Sequence, residues 1–143
     1  MKDILEMPEK EFFIIWKHVP LSIVECVIVS GNKILMTKRK GPPWKGWWHI
    51  PGGLIGNRET LEHAVKRISK EDTGLNVRIK KFLGYYDKPG LDPRGQVIGH
   101  VFLCEIVSGK LKAGKKEAEI KFFDKIPRVP RHHRQLLRKY GLL

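Results

Sequence analysis

The stretch from Thr60 to Thr73 constrains this chain more than any other, because its helical pattern sets carboxylates where a helix should be apolar. Thr60 is suited to cap the start, and Gly74 stands where a helix should stop. At about 100° per residue, Leu61, Ala64, Val65 and Ile68 form one apolar stripe facing a core. Asp72 falls within that stripe, with Arg67 and Glu71 at its edge. A carboxylate on the buried side of a helix is costly unless it is paired or binds metal. An Arg67–Glu71 ion pair at i,i+4, with Asp72 near a frayed end, is one resolution. A divalent cation is the other.

Two glycines upstream bear on that choice. Gly52 and Gly53 let the backbone approach a ligand closely, or simply make a turn. Carboxylates and a main-chain carbonyl are the hard oxygen ligands that Mg²⁺ selects, with waters and substrate phosphates completing the octahedron.

With 143 residues the chain fits one domain, 1–143, in which residues 1–19 form an N-terminal helical extension. Its 41% apolar and 30% charged residues are those of a globular protein. A formal charge of +13 favours anionic partners such as nucleotides or polyphosphates; a solvated, lysine-rich surface is the plainer account. Cys26 and Cys104 lie in apolar runs with no CxxC partner, and are expected to be buried small hydrophobes. No signal-peptide series opens the chain and no apolar run approaches about 18 residues. The expectation is a cytoplasmic protein with no membrane partner.

Around the central helix the pattern predicts mostly strands. A short aromatic helix over 8–18 precedes a hairpin, Leu21–Val29 and Lys33–Arg39, turning at Gly31-Asn32. Trp47 to Ile50 reads as a short strand ending at Pro51-Gly52-Gly53. Val77–Tyr86 and Gln96–Val107 read as long strands joined by a Gly- and Pro-rich loop. A basic loop, Lys110 to Lys116, leads to a last strand near 120–123 and a basic helix over 130–140. The expected fold is α+β, a mixed sheet sandwiched between helices in an α/β/α arrangement.

The run from Gly53 through Glu59, Arg67, Glu71 and Asp72 to Gly74-Leu75 resembles the Nudix box at every spacing, with Asp72 for a usual Glu. That resemblance implies a metal-dependent hydrolase of nucleoside diphosphate derivatives, using Mg²⁺ or Mn²⁺. Two positions depart from the box. Ile68 replaces the Glu after the Arg, often a ligand or base, and Ser69 replaces an aliphatic. The GDP-mannose mannosyl hydrolase branch also lacks that Glu and cleaves a sugar C–O bond. The aromatic first helix, Glu25, Lys38-Arg39 and Gly46-Trp47-Trp48 are similar to that branch. Leu91-Asp92-Pro93-Arg94-Gly95-Gln96 instead resembles a loop of ADP-ribose pyrophosphatases.

The resemblance implies that the Gly52 carbonyl, Glu71 and Asp72 hold the metal. Arg67 orients carboxylates or a phosphate, Arg39 neutralises the diphosphate, and Glu25 contacts substrate. Glu117 or Glu119 is left to serve as ligand or base where the branch has other residues; solvent-facing charge is the alternative for both. Trp44, Trp47, Trp48 and Tyr86 are candidates to stack on a base, or else to pack in the core. GDP-mannose-type cleavage is the first expectation and ADP-ribose-type P–O cleavage the second. A non-catalytic nucleotide- or RNA-binding module is the third, disfavoured because it has no reason to keep carboxylates on a core face. Nucleic acid is not an expected partner, since no motif interleaves aromatics with the basic residues. A homodimer through the apolar first helix is allowed by analogy.

Overall fold

The computed structural model describes residues 3–143, so the first two residues of the expected N-terminal extension lie outside the described residues. After a 3₁₀ turn, Ile4–Glu6, the elements run α1 (Glu9–His18), β1 (Leu21–Ser30), β2 (Lys33–Arg39), β3 (Trp48–His49) and β4 (Gly52–Leu54). Then come α2 (Leu61–Thr73), β5 (Leu75–Tyr86), β6 (Val97–Gly109), β7 (Glu117–Phe123) and α3 (Arg131–Lys139).

One mixed sheet runs in the order β3-β2-β1-β6-β5, with β4 added to β1 and β7 to β2. β1 lies parallel to β6 from Leu21↔Val97 to Val29↔Glu105, and its other pairings are antiparallel. A strand covered on both faces reads as a near-continuous apolar run, and β1 does. Val24, Cys26 and Ile28 enter a core closed by Ala64, Val65 and Ile68 of α2. Val27 faces the other way, toward Leu136 and Leu137 of α3. These two cores make the α/β/α sandwich. Both cysteines are buried and unpaired.

Local signals act as their chemistry dictates. The Thr60 hydroxyl accepts from His63 N at 3.1 Å, and Gly74 ends α2 at φ 77°. Gly31 takes φ 60° in the two-residue turn, where a side chain would be strained. Two strands differ from expectation for a physical reason. β4 forms at residues read as a turn, because β1 offers a free edge to its short backbone. β7 begins at Glu117 rather than near 120: its charged first residues stand opposite Arg39 and Lys38 of β2.

Phe12, Phe13 and Trp16 of α1 pack with Leu21, Ile23, Leu54 and Val97. No described helix is long and apolar enough to cross a membrane.

Candidate active site

β4 brings glycine backbone against β1 and α2. Gly52 pairs with Glu25, and a Cβ on it would meet Glu25 Oε2 at 2.5 Å and Val24 O at 2.6 Å. Only glycine fits there. The next residue, Gly53, lies under Ile68, whose Cδ1 would be 3.4 Å from an added Cβ. Ile68 thus fills the space above the glycine pair with hydrocarbon.

Arg67 is held by protein on three sides. Its Nε and Nη2 donate to the two oxygens of Glu59, each at 2.8 Å. Nη2 also donates to Leu54 O at 2.8 Å, and Nη1 to Glu71 Oε2 at 3.2 Å. Glu59 further accepts from Gly56 N at 3.0 Å and lies 2.6 Å from His63 Nδ1. The Arg67 guanidinium, with these bonds, holds the Glu59 carboxyl down at about 2. The pair fastens the Leu54–Glu59 loop to α2, so Arg67 acts on carboxylates and backbone in this structure.

Asp72 has no such partner among the described residues. Burial first, then Glu117 and Glu71, push its carboxyl up to about 7. It also sits in the last turn of α2, where the helix dipole opposes negative charge. Glu117 enters from β7 beside Arg39, half-buried and raised mainly by burial, while the Thr37 hydroxyl and Arg39 favour its charge. By contrast, Glu119 is solvent-facing and pairs with Lys38 at 3.6 Å. The basic loop docks by its backbone: Lys112 N donates to Thr73 O at 2.8 Å and Gly114 N to Asp72 O at 3.1 Å. It thereby caps the helix's orphan carbonyls and brings Lys116 near Asp72 and Glu117. Asp72, desolvated and close to the carboxylates of Glu71 and Glu117, forms with them an oxygen donor set that fits a hard divalent cation.

On the opposite face of β1, Glu25 is only 3% exposed. Tyr86 Oη donates to its Oε1 at 2.6 Å, and His133 Nε2 lies 3.2 Å from the same oxygen. Because Ile50 N–H donates to His133 Nδ1 at 3.2 Å, the proton of a neutral ring must sit on Nε2, which then donates to Glu25. Burial pushes Glu25 up to about 7 despite the Tyr86 bond, and lowers His133 to about 3. Glu25, His132 and His133 cluster closely enough to suggest a second metal. The fixed proton on His133 Nε2 argues against it: neither ring nitrogen keeps a free lone pair.

Beside this carboxyl lies His132, with Trp44 tilted against it at 5.6 Å, and Arg39 stands near His133. Arg39 Nη2 donates to Pro42 O at 3.3 Å, but its buried Nε has no partner among the described residues. Burial, then Arg94, lower its affinity for its proton. An arginine so placed is suited to an anion. Trp48 instead packs edge-on against Phe123 at 4.7 Å, in the core below α3.

The sequence-nominated residues therefore divide into two groups. Arg67, Glu71, Asp72 and Glu117 gather at the end of α2, and Glu25 clusters with His132, His133 and Tyr86; Arg39, paired with Glu117 and near His133, and Gly52, paired with Glu25, stand between the two. Sequence reading missed His132, His133 and Asp92. The His pair at the head of a basic helix carries no local signal, being 108 residues from its partner Glu25.

Comparison with known proteins agrees with this geometry. The NUDIX domain model matches residues 20–138. An ADP-ribose pyrophosphatase of Methanocaldococcus jannaschii is 39% identical over 97% of this chain and 83% of its own. The low-salt glycan biosynthesis protein Agl8 of Haloferax volcanii is 28% identical over 86% of this chain and 83% of its own. Among solved structures, a NUDIX hydrolase from Nitrosomonas europaea superimposes with TM-score 0.76 at 26% identity, covering 85% of this chain and 69% of that one. These findings favour the ADP-ribose reading over the GDP-mannose reading placed first on sequence. The box spacing, the sandwich and the matched domain agree: this chain belongs to the Nudix family and is a hydrolase of nucleoside diphosphate derivatives.

Proposed function

We propose that the protein hydrolyses the phosphoanhydride of ADP-ribose or a close relative, with Mg²⁺ or Mn²⁺, giving AMP and ribose 5-phosphate. The observation that carries this reading is Asp72, an unpartnered and partly desolvated carboxyl flanked by Glu71 and Glu117. The 39% identical pyrophosphatase and the Leu91–Gln96 loop support the substrate.

Asp72, Glu71 and the Gly52 carbonyl would hold the ion, with Glu117 completing the set or acting as base. When bound, the ion polarises the diphosphate and offsets charge on the leaving group. Glu117 accepts a proton from the attacking water, since a carboxylate with raised proton affinity is a better base near neutrality. Water's oxygen joins phosphorus, the bridging P–O bond breaks, and the bridging oxygen leaves with the departing phosphate. Arg39 neutralises a phosphate through the donor left free in the protein. Arg67 holds Glu59 and Glu71 rather than substrate. Glu25, its carboxyl raised by burial to about 7, offers the sugar a hydrogen-bonding group.

A turnover screen of nucleoside diphosphate sugars tests the reading. ADP-ribose should be hydrolysed with Mg²⁺, and excess chelator should remove at least about 99% of the rate, as for a reaction whose charge stabilisation is metal-borne. No ADP-ribose hydrolysis, or hydrolysis indifferent to chelator, would overturn it.

A further inference from the structure

The helix that precedes the matched domain grips the Asp92–Gln96 turn through Trp16. Trp16 is 5% exposed, and its indole Nε1 donates to Gln96 O at 2.9 Å. Arg94 lies over the same indole, 4.8 Å from the ring centroid. Between these contacts sits Gly95, whose added Cβ would fall 2.5 Å from Trp16 Cδ1 and Nε1. The joint is closed so tightly that only glycine passes the ring.

The turn held there is itself rigid. Asp92 Oδ1 accepts from Arg94 N at 2.9 Å and Nε at 3.0 Å, and Oδ2 accepts from Nη2 at 2.7 Å. Gln96 Nε2 closes the loop by donating to Asp87 O at 3.2 Å. The Asp92 side chain is 11% exposed, and its charge reaches Glu25, Arg39, Tyr86 and His132. Tyr86, the last residue of β5 before this turn, donates to Glu25 and lies 5.9 Å from the His132 ring, so the turn stands beside the Glu25 cluster.

We propose that Trp16 is a positioning residue for substrate selection: α1 straps the Asp92–Arg94 turn over the Glu25 cleft, where Asp92 reads a hydroxyl-bearing group of the substrate. The inference rests on the reading that this cleft takes a nucleoside diphosphate sugar. The family match begins at residue 20, so the strap lies outside the matched domain.

Two variants loosen the joint from opposite sides. Trp16→Phe keeps the packing on Phe12 and Phe13 but removes the N–H, while Gly95→Ala drives a methyl into the ring. Amide exchange in residues 88–96 of the ligand-free protein should quicken in both. On the diphosphate sugar the enzyme turns over, KM should rise about three- to tenfold with kcat within about twofold, the scale of one lost hydrogen bond. Asp92→Asn should raise KM similarly, and combining it with Trp16→Phe should add little, because both act on one contact. Val77→Ala, a core truncation at the far end of β5, should lower Tm and leave KM unchanged.

Unchanged loop exchange in both joint variants would overturn the strap, whatever the substrate. Quickened exchange with KM unmoved, or kcat and Tm falling together as for a core defect, would overturn its role in selection. Failure of the unaltered protein to hydrolyse ADP-ribose would count against the substrate alone, since exchange is read without substrate.

Discussion

Asp72→Asn is expected to abolish metal-dependent hydrolysis, lowering kcat/KM by at least about a hundredfold, roughly 3 kcal/mol of transition-state stabilisation. The fold should survive it, and without metal the variant should be the more stable protein. The reason lies in the sign of the proton linkage. Asp72 titrates at about 7 in the folded chain against an ordinary 3.8, so folding favours its protonated form. The metal-free protein then loses stability as pH rises from about 4 through about 7, by no more than about 4 kcal/mol. Asparagine carries no such penalty. Melting curves from pH 4 to 8 should show the two proteins diverging in the variant's favour, and Mg²⁺ should raise Tm only where Asp72 is present. Undiminished turnover in Asp72→Asn would remove this residue from the metal site.

Arg67→Ala should do the opposite, destabilising the protein before any question of chemistry arises. It strands the Glu59 carboxylate, whose side chain is 9% exposed, and leaves Leu54 O without its donor. Removing one partner of a partly buried, multiply hydrogen-bonded ion pair costs about 2–3 kcal/mol. Arg67→Lys should recover little, because a single ammonium cannot bridge both Glu59 oxygens and the carbonyl. Glu59 is depressed from 4.5 to about 2, so its contribution is present above about 4.5 and lost as pH falls through about 2. The gap between wild type and Arg67→Ala should therefore narrow across that acid window. Denaturant titration at pH 7 and pH 3 measures both effects; an equal gap at the two pH values would mean that the pair does not hold the loop.

Sequence pattern revealed the parts governed by local rules. The cap at Thr60, the stop at Gly74 and the stripe through Ala64, Val65 and Ile68 follow from helical periodicity. The Nudix-box offsets located the carboxylates because they all lie on or beside one helix. What pattern could not supply was assembled across the sheet. β4 looked like a turn because glycines carry no strand propensity, yet their lack of a side chain is what lets β4 pair under Glu25. The start of β7 was hidden because charged residues broke the alternation that marks a strand, their partners being on β2. Likewise, the Glu25–His133 contact joins the first strand to the last helix. The first helix was legible as amphipathic but not in its use: its aromatic face closes against the chain's own Leu21 and Val97.

The relatives favour the second substrate expectation over the first, for a related reason. Ile68 in place of a Glu pointed to C–O cleavage, whereas the Leu91–Gln96 loop pointed to ADP-ribose. One missing carboxylate outweighed a loop whose significance lay in contacts far along the chain. In the structure Ile68 is a core residue over Gly53, and the loop brings Asp92 near Glu25.

The central claim, metal-dependent attack on a phosphoanhydride, is tested most directly by identifying the products of ADP-ribose hydrolysis with Mg²⁺ by phosphorus NMR. AMP and ribose 5-phosphate in equal amounts are the predicted result, while ADP with free ribose would show cleavage of the sugar C–O bond and contradict it.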